Sequence, residues 1–491
     1  MNYNELKSGT DIRGVASDKG GNKVNLTETA VMDITDAFVY WLTKKTGKKA
    51  NELKIAIGHD SRITANMIKN AAVSRLLCAG VHILDCALSS TPAMFMTTID
   101  LDTDASIQIT ASHHPFDRNG LKFFTKEGGL EASDIADIVK LANDGIKCCL
   151  ADGKIEKVDY MVQYAARLRK MICDGVGKSE SDLPLKNYKI VVDAGNGAGG
   201  FYAENVLKPL GANISGSQFL NPDGMFPNHI PNPENKAAME SICTAVVKNS
   251  ADLGIIFDTD VDRAGCVDST GTEINRNRLV ALAAYITMQD NAGATVVTDS
   301  VTSDGLKTYI EKDLGGKHYR YKRGYKNVIN KAIELCNEGI NCPLAIETSG
   351  HAALRENYFL DDGAYLATKI VIELARGKKF DEILSTLKMA AEEKEIRLNI
   401  KAEDFRTYGQ NVIAELEKFA QNNKDCKIAD DNREGIRITT PYGWMLLRLS
   451  VHDPVMPINF ESDDIGGTAK NVEFFRSFYE RFELLDLSSY K

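Results

Sequence analysis

The stretch LKIAIGHDSRITANMIKNAAVSRLLCAGVHILDCA, residues 53–87, reads as one strand–helix–strand unit. LKIAI is a short apolar run that ends in a polar loop, GHDSR, as a buried parallel strand does. Thr64 then opens a helical stretch as its N-cap, Gly80 closes it, and VHILDCA forms the next strand. Parallel strands need such a crossover, so this unit predicts an α/β fold.

The same pattern returns at YKIVVDAGNGAGG (188–200), DLGIIFDTDVDR (252–263) and ATVVTDSVTS (294–303), each a buried strand running into a Gly, Asp or Ser loop. Three α/β modules in series are expected. The helical stretch EKVDYMVQYAARLRKMI (156–172) connects the first two, and the charged stretch AAEEKEIRLNIKAED (390–404) sets off a final segment. That segment holds REGIRITTPYGWMLLRLSV (433–451), whose alternation predicts antiparallel strands in a smaller α+β module. The expected division is 1–155, 156–273, 274–392 and 393–491. In open α/β sheets ligands bind beyond the carboxyl ends of the strands, so these loops are where chemistry is sought.

Bulk properties narrow the function. The 491 residues are 43% hydrophobic and 26% charged, with a net charge of −9. Scattered basic residues in an acidic chain argue against a nucleic-acid surface but leave room for a local pocket for small anions. Apolar runs fall short of the roughly 20 residues that span a bilayer, and MNYNELKSGTDIRG lacks a secretory signal, which points to the cytoplasm. The ten cysteines show no CxxC pair and read as reduced core thiols.

DTDVDR is the strongest motif. Asp258, Asp260 and Asp262 alternate directly after an apolar strand, so a short loop aims three hard oxygen ligands at one point, a set suited to Mg²⁺. A calcium loop would need Gly and Glu where Arg263 and Ser269 stand. The plain alternative is a solvated acidic turn. TASHHP (110–115) supplies Ser112, a poor nucleophile by itself; phosphorylated, it carries roughly −1.5 to −2 charge and oxygens that ligate a metal. Lys122 follows as a cation for phosphoryl oxygens or as an acid/base group. His113 and His114 suggest zinc only weakly, since no third ligand stands nearby.

The remaining loops are weaker one by one. GTDIRG (9–14) places Arg13 in a glycine-bounded loop able to grip phosphate. KRGYKNV (322–328) offers Arg323 and Lys326 as phosphate contacts or a solvated basic turn. AIETSGH (345–351) sets Glu347, Ser349 and His351 at a strand end, suited to sugar hydroxyls or to a helix cap at Ser349, with LDDGAY (360–365) following. RLSVHDP (448–454) gives Arg448 and Ser450 as donors to a phosphate dianion, a role that His452 and Asp453 fit less well.

Together and in this order these motifs resemble the α-D-phosphohexomutase superfamily of the phosphomannomutase/phosphoglucomutase type, over nearly the whole chain. TASHHP is similar to the family's phosphoserine loop, DTDVDR to its metal loop, ETSGH to its sugar loop and RLSVHDP to its phosphate loop. The resemblance implies three tandem α/β domains with mixed sheets and a fourth, more open domain around a central cleft. It also implies a phosphoryl carrier at Ser112 beside Mg²⁺ on Asp258, Asp260 and Asp262, with Arg263, Arg13 and Lys122 stabilising the transferring group. Lys122 or a neighbour would be the general acid/base, and Glu347 and Ser349 would meet the sugar, with His351 nearby.

The implied reaction interconverts hexose 1- and 6-phosphates of glucose or mannose through glucose 1,6-bisphosphate or its analogue. Small sugar phosphates are the expected partners, without nucleic acid or membrane, for a monomer or homodimer. Three departures stand out: His114 where asparagine is commoner, His452-Asp453 in place of Thr-Glu, and no arginine in PINFES (457–462). Thr348 occupies the variable sugar-loop position, so phosphoglucosamine mutase is an alternative. A low-turnover sugar-phosphate binding protein and a serine-dependent phosphatase are the competitors from other classes.

Overall fold

The computed structural model describes residues 2–148, 152–450 and 453–490. They form two compact units, Met1–Leu279 with Ser349–Asp381, and Val280–Thr348 with Glu382–Lys491. Along the chain three α/β modules precede a sheet-rich final module.

In the first unit, Lys54–His59 pairs in parallel with His82–Leu88 and with Ala105–Ile109, and helix Ala65–Cys78 makes the crossover. These strands belong to an eight-stranded mixed sheet, in which Ala105–Ile109 meets Arg118–Thr125 and Asp11–Val15 antiparallel beyond it. Ile55, Ile57, Ile83 and Ile107 are fully buried together with Phe38 and Leu42 of helix Glu28–Thr46, giving this module its core. Each such aliphatic contributes about 1.5–3 kcal/mol on burial. Thr64 is the N-cap residue of the crossover helix, yet its hydroxyl accepts from Asn119 Nδ2 at 3.0 Å instead of from the helix backbone.

The second module is a four-stranded mixed sheet in the order Glu273–Ile274, Ala264–Asp268, Leu253–Phe257, Ile190–Asp193, the last two parallel. The connecting helix is Tyr160–Val176. It packs on helix Gly363–Ala375, and Tyr164 donates its hydroxyl to Asp362 at 2.7 Å.

In the second unit, Lys317–Tyr321, Thr295–Asp299 and Leu344–Ile346 lie parallel with Thr295–Asp299 central. A six-stranded antiparallel sheet follows, ordered Lys427–Ile428, Ile436–Thr440, Gly443–Leu447, Val455–Ser462, Glu392–Ile400, Leu485–Asp486. The charged stretch expected to separate segments is thus itself a strand. Ile396, Leu398 and Ile400 point inward at period two while the charges face out, as an antiparallel strand with one wet face requires.

Eight cysteines are free thiols as expected, whereas Cys78 is disulfide-bonded; Cys149 lies outside the described residues. Among the described residues no helix is long and apolar enough to cross a membrane.

Candidate active site

The strand ends of the first unit deliver their loops to one place. Leu253–Phe257 releases Asp258, Asp260 and Asp262, all buried, with ligand oxygens within 4.8 Å of one another. Val261, between two of them, is left-handed at φ 69°, an unfavourable conformation for a β-branched residue and a common mark of functional loops. The loop is braced from outside its own module. Thr91, in the first turn of helix Thr91–Asp100, bonds Asp260 through both its hydroxyl and its backbone N–H. Gly363 donates its N–H to the Val261 carbonyl at 3.1 Å, and a Cβ there would sit 2.5 Å from the Arg263 carbonyl carbon.

Ser112 comes from the loop after Ala105–Ile109. It is buried, its φ is 52°, and its Oγ donates to Asp258 Oδ2 at 3.3 Å. Lys122 projects from strand Arg118–Thr125 and donates to Asp262 at 2.6 Å and to Asp260 at 3.2 Å. Arg263 Nε lies 3.9 Å from Asp258, and its Nη1 is 3.6 Å from Glu234. Arg13 does not sit in a loop as expected: it belongs to strand Asp11–Val15, opposite Gly120, and pairs with Asp11 at 2.7 Å. A Cβ at Gly120 would lie 2.3 Å from the Ile12 carbonyl, so glycine is required where the two strands meet.

Three buried carboxylates this close repel. Burial, reinforced by Asp262 and Asp260, raises the pKa of Asp258 well above the ordinary carboxylate value. Burial opposes ionisation of Asp262 too, but Lys122, His351 and Arg263 outweigh it and hold that pKa low. Asp260 Oδ1 and Asp262 Oδ1 are buried without a hydrogen-bond partner. Converging, under-satisfied hard oxygens fit a divalent cation. This is an acidic metal-binding cluster.

His351 follows on the same side. Its Nδ1 is paired with Asp361, and it lies 3.9 Å from Asp262. Ser349 is buried one step before Gly350, whose carbonyl accepts from Ala264 N. The His113 and His114 rings lie 5.3 Å from each other, and His113 Nδ1 is 3.3 Å from Ser112 Oγ. Burial and the neighbouring arginines push their pKa values down to about 2 and about 3, so both are neutral.

The second unit gathers the other candidates. Glu347 and Thr348 leave strand Leu344–Ile346; Glu347 accepts from Gly324 N at 2.6 Å, and Thr348 donates to Asp299 at 2.7 Å. Arg323 Nε is 4.0 Å from Asp299. Glu434 accepts from Arg323 N at 3.1 Å and lies 4.0 Å from Arg448, which brings these two candidates around one carboxylate. Lys326 stands in the first turn of helix Tyr325–Asn337. Ser450 Oγ accepts from Asp453 N at 3.2 Å; His452 lies outside the described residues. Where PINFES lacks an arginine, Asn459 accepts from Arg448 at 3.4 Å and donates to Glu395 at 3.2 Å.

Three matches to known families cover most of the chain: phosphoglucomutase/phosphomannomutase α/β/α domain I over residues 5–147, domain II over 164–271 and domain III over 275–389. A phosphomannomutase/phosphoglucomutase from Pseudomonas putida is 30% identical over 482 residues, 96% of this chain and 95% of that protein. The chain belongs to the phosphoglucomutase/phosphomannomutase family.

A phosphoglucomutase/phosphomannomutase from Thermococcus kodakarensis is also 30% identical, over 476 residues, 96% of this chain and 95% of that protein. The crystal structure of a phosphoglucomutase/phosphomannomutase family protein from Burkholderia thailandensis superposes with a TM-score of 0.81 at 26% identity, covering 98% of each chain. Membership places this chain in the α-D-phosphohexomutase superfamily.

In this member of the phosphoglucomutase/phosphomannomutase family several site neighbours escape a reading by motif. Thr91, Asp60, Arg62, Asp361 and Glu434 each touch a candidate residue or its loop. Asp361 lies in LDDGAY, Asp60 and Arg62 in the polar loop GHDSR and Glu434 at the start of REGIRITT, all quoted stretches in which these residues carry no role of their own; Thr91 lies outside every such stretch.

Proposed function

We propose that this chain is a phosphohexomutase that interconverts the 1- and 6-phosphates of glucose, mannose or both, with Ser112 as phosphoryl carrier. One observation carries the reading: the Ser112 hydroxyl lies 3.3 Å from Asp258 in a cluster of three buried aspartates that Lys122 bridges. A lone serine beside carboxylates is a poor nucleophile, whereas a phosphoserine there gains a metal site and a cation for its oxygens.

Asp258, Asp260 and Asp262 would hold Mg²⁺ with an oxygen of phosphorylated Ser112. When bound, Mg²⁺ supplies charge stabilisation to the phosphoryl oxygens. In the first transfer the Ser112 Oγ–P bond breaks as a sugar hydroxyl oxygen bonds to phosphorus, and the hydroxyl proton passes to a general base. Lys122 or a neighbour serves as that acid/base group, while Arg263 and Arg13 stabilise the transferring oxygens. The hexose 1,6-bisphosphate turns over, and Ser112 Oγ takes back the other phosphoryl group as the proton returns. Glucose 1,6-bisphosphate is accordingly the expected activator.

Glu347, Ser349 and His351 are assigned to the sugar, and Arg323, Lys326, Arg448 and Ser450 to the phosphate that is not reacting. The four-module division at 155/156, 273/274 and 392/393, a cytoplasmic location, a monomeric or homodimeric state and the absence of nucleic-acid partners belong to the same proposal.

Phosphorus NMR tests it directly. Purified protein with Mg²⁺ and a trace of glucose 1,6-bisphosphate is given glucose, mannose or glucosamine 1-phosphate in turn. Growth of a 6-phosphate signal with glucose or mannose is expected, and Ser112→Ala abolishes it. Turnover of glucosamine 1-phosphate alone would reassign the substrate; steady release of inorganic phosphate would make it a phosphatase. Tight binding without exchange, in phosphorylated protein, would make it a binding protein.

A further inference from the structure

Ser112 is held in a left-handed conformation, φ 52°, which a non-glycine residue keeps only where its surroundings impose it. The surroundings here are one buried guanidinium and its partner. Arg62, whose side chain has no exposure, sends Nη1 to the carbonyls of Pro115 at 2.7 Å and Arg118 at 2.8 Å. Its Nη2 donates to the carbonyls of His114, at 2.7 Å, and of Ser112 itself. Asp60 completes the frame: Oδ2 lies 3.3 Å from Arg62 Nε and accepts from Thr110 Oγ1 at 2.6 Å. That threonine oxygen in turn accepts from Ser112 N at 2.8 Å.

The serine is therefore gripped on both sides, its N–H through Thr110 to Asp60 and its carbonyl by Arg62. Four carbonyls converge on one planar donor set; a lysine has three donors on a single point and cannot reproduce that fork. Phe226 closes the open side, with its ring 5.4 Å from the guanidinium carbon. Gly224 lets that loop approach, since a Cβ there would lie 2.4 Å from Ile63 N and from the Ser61 carbonyl.

We propose that Arg62 is a positioning residue for phosphoryl transfer: it holds the 112–118 turn so that Ser112 Oγ faces Asp258. This rests on the reading of Ser112 as the carrier. The bonds of Arg62 run to the backbone of the turn and to Asp60, so its loss is expected to degrade the geometry of transfer while sugar binding is retained.

The test compares wild type, Arg62→Lys and the milder Phe226→Leu as full-length phosphorylated proteins, with circular dichroism and Tm as checks of folding. The readouts are kcat, KM and the phosphorus resonance of the protein-bound phosphate. Arg62→Lys is expected to lower kcat about 100-fold with KM within about twofold, because misplacement by an ångström costs that much. Its resonance shifts or broadens, and Phe226→Leu shows smaller changes of the same sign. Unchanged kcat and resonance in folded Arg62→Lys, or in Phe226→Leu should the lysine variant not fold, overturn the proposal. A protein-bound resonance that survives Ser112→Ala overturns the carrier reading and this inference with it.

Discussion

Lys122 Nζ bridges Asp262, at 2.6 Å, and Asp260, at 3.2 Å, so the cation sits inside the carboxylate cluster it neutralises. Lys122→Met removes that charge without shortening the side chain much. The expected result is a fall in kcat of about 10²–10⁴-fold, the usual worth of a positioned acid/base group, with a smaller change in KM. Steady-state kinetics checks it, and Lys122→Arg restores part of the rate if charge is what counts.

Asp258 sits where burial, Asp262 and Asp260 all disfavour its ionised form. Mutual repulsion is therefore a standing cost in metal-free protein, and a divalent cation relieves it. On the proposed reading, Mg²⁺ at 100 times its dissociation constant would add about 2.7 kcal/mol of stability. Thermal melts should show Tm rising with Mg²⁺ and falling with EDTA. Asp258→Asn should raise the metal-free Tm while blunting the response to Mg²⁺.

His229 places Nε2 3.0 Å from Asp193 Oδ2 and Nδ1 3.0 Å from the Ile230 carbonyl, so both ring nitrogens face acceptors. Gln218 donates to the same Asp193 carboxylate at 2.6 Å, and the Phe219 ring packs edge-on against the imidazole. Burial lowers the histidine pKa, but the Asp193 hydrogen bond and charge, with help from the Ile230 carbonyl, outweigh it and raise the value above 6.5. A folded pKa above the unfolded one gives stability that is complete below the unfolded value and lost as pH rises through the folded value. Urea unfolding should thus show falling stability above neutrality, and His229→Gln should flatten that slope.

Gly120 has no space for a side chain, with the Ile12 and Thr110 carbonyls 2.3 Å and 2.8 Å from a Cβ. Gly120→Ala should cost about 1–3 kcal/mol by overpacking, seen as a lower urea midpoint. Because the same strand carries Lys122, kcat should fall as well.

Local pattern made the fold legible: the 53–87 unit, the connecting helix and the hairpin Ile436–Thr440/Gly443–Leu447 announce themselves by period and by turn residues. The 390–404 stretch was harder, because its charges mask the inward row Ile396, Leu398 and Ile400. In the site, Ser112, Asp258 and Glu347 were legible because each follows the end of a strand, whereas Lys122 and Arg13 lie within strands. Thr91 and Asp260 are 169 positions apart, and no local signal links residues at such a separation. Arg13 was misplaced for a related reason, since the glycines around it mark close strand packing at Gly14 and a turn only at Gly9.

The brace between Gly363 and the metal loop also has a consequence in time. The aspartates are translated about a hundred residues before the glycine whose N–H caps Val261, a lag of roughly 5–20 s at ribosomal speed. During that interval the nascent chain already holds Ser112, Lys122 and all three carboxylates but lacks the last clamp on the loop. A chain truncated before residue 363 therefore carries every acidic residue of the cluster and the Thr91 bonds to Asp260, but lacks the Gly363 bond to the Val261 carbonyl.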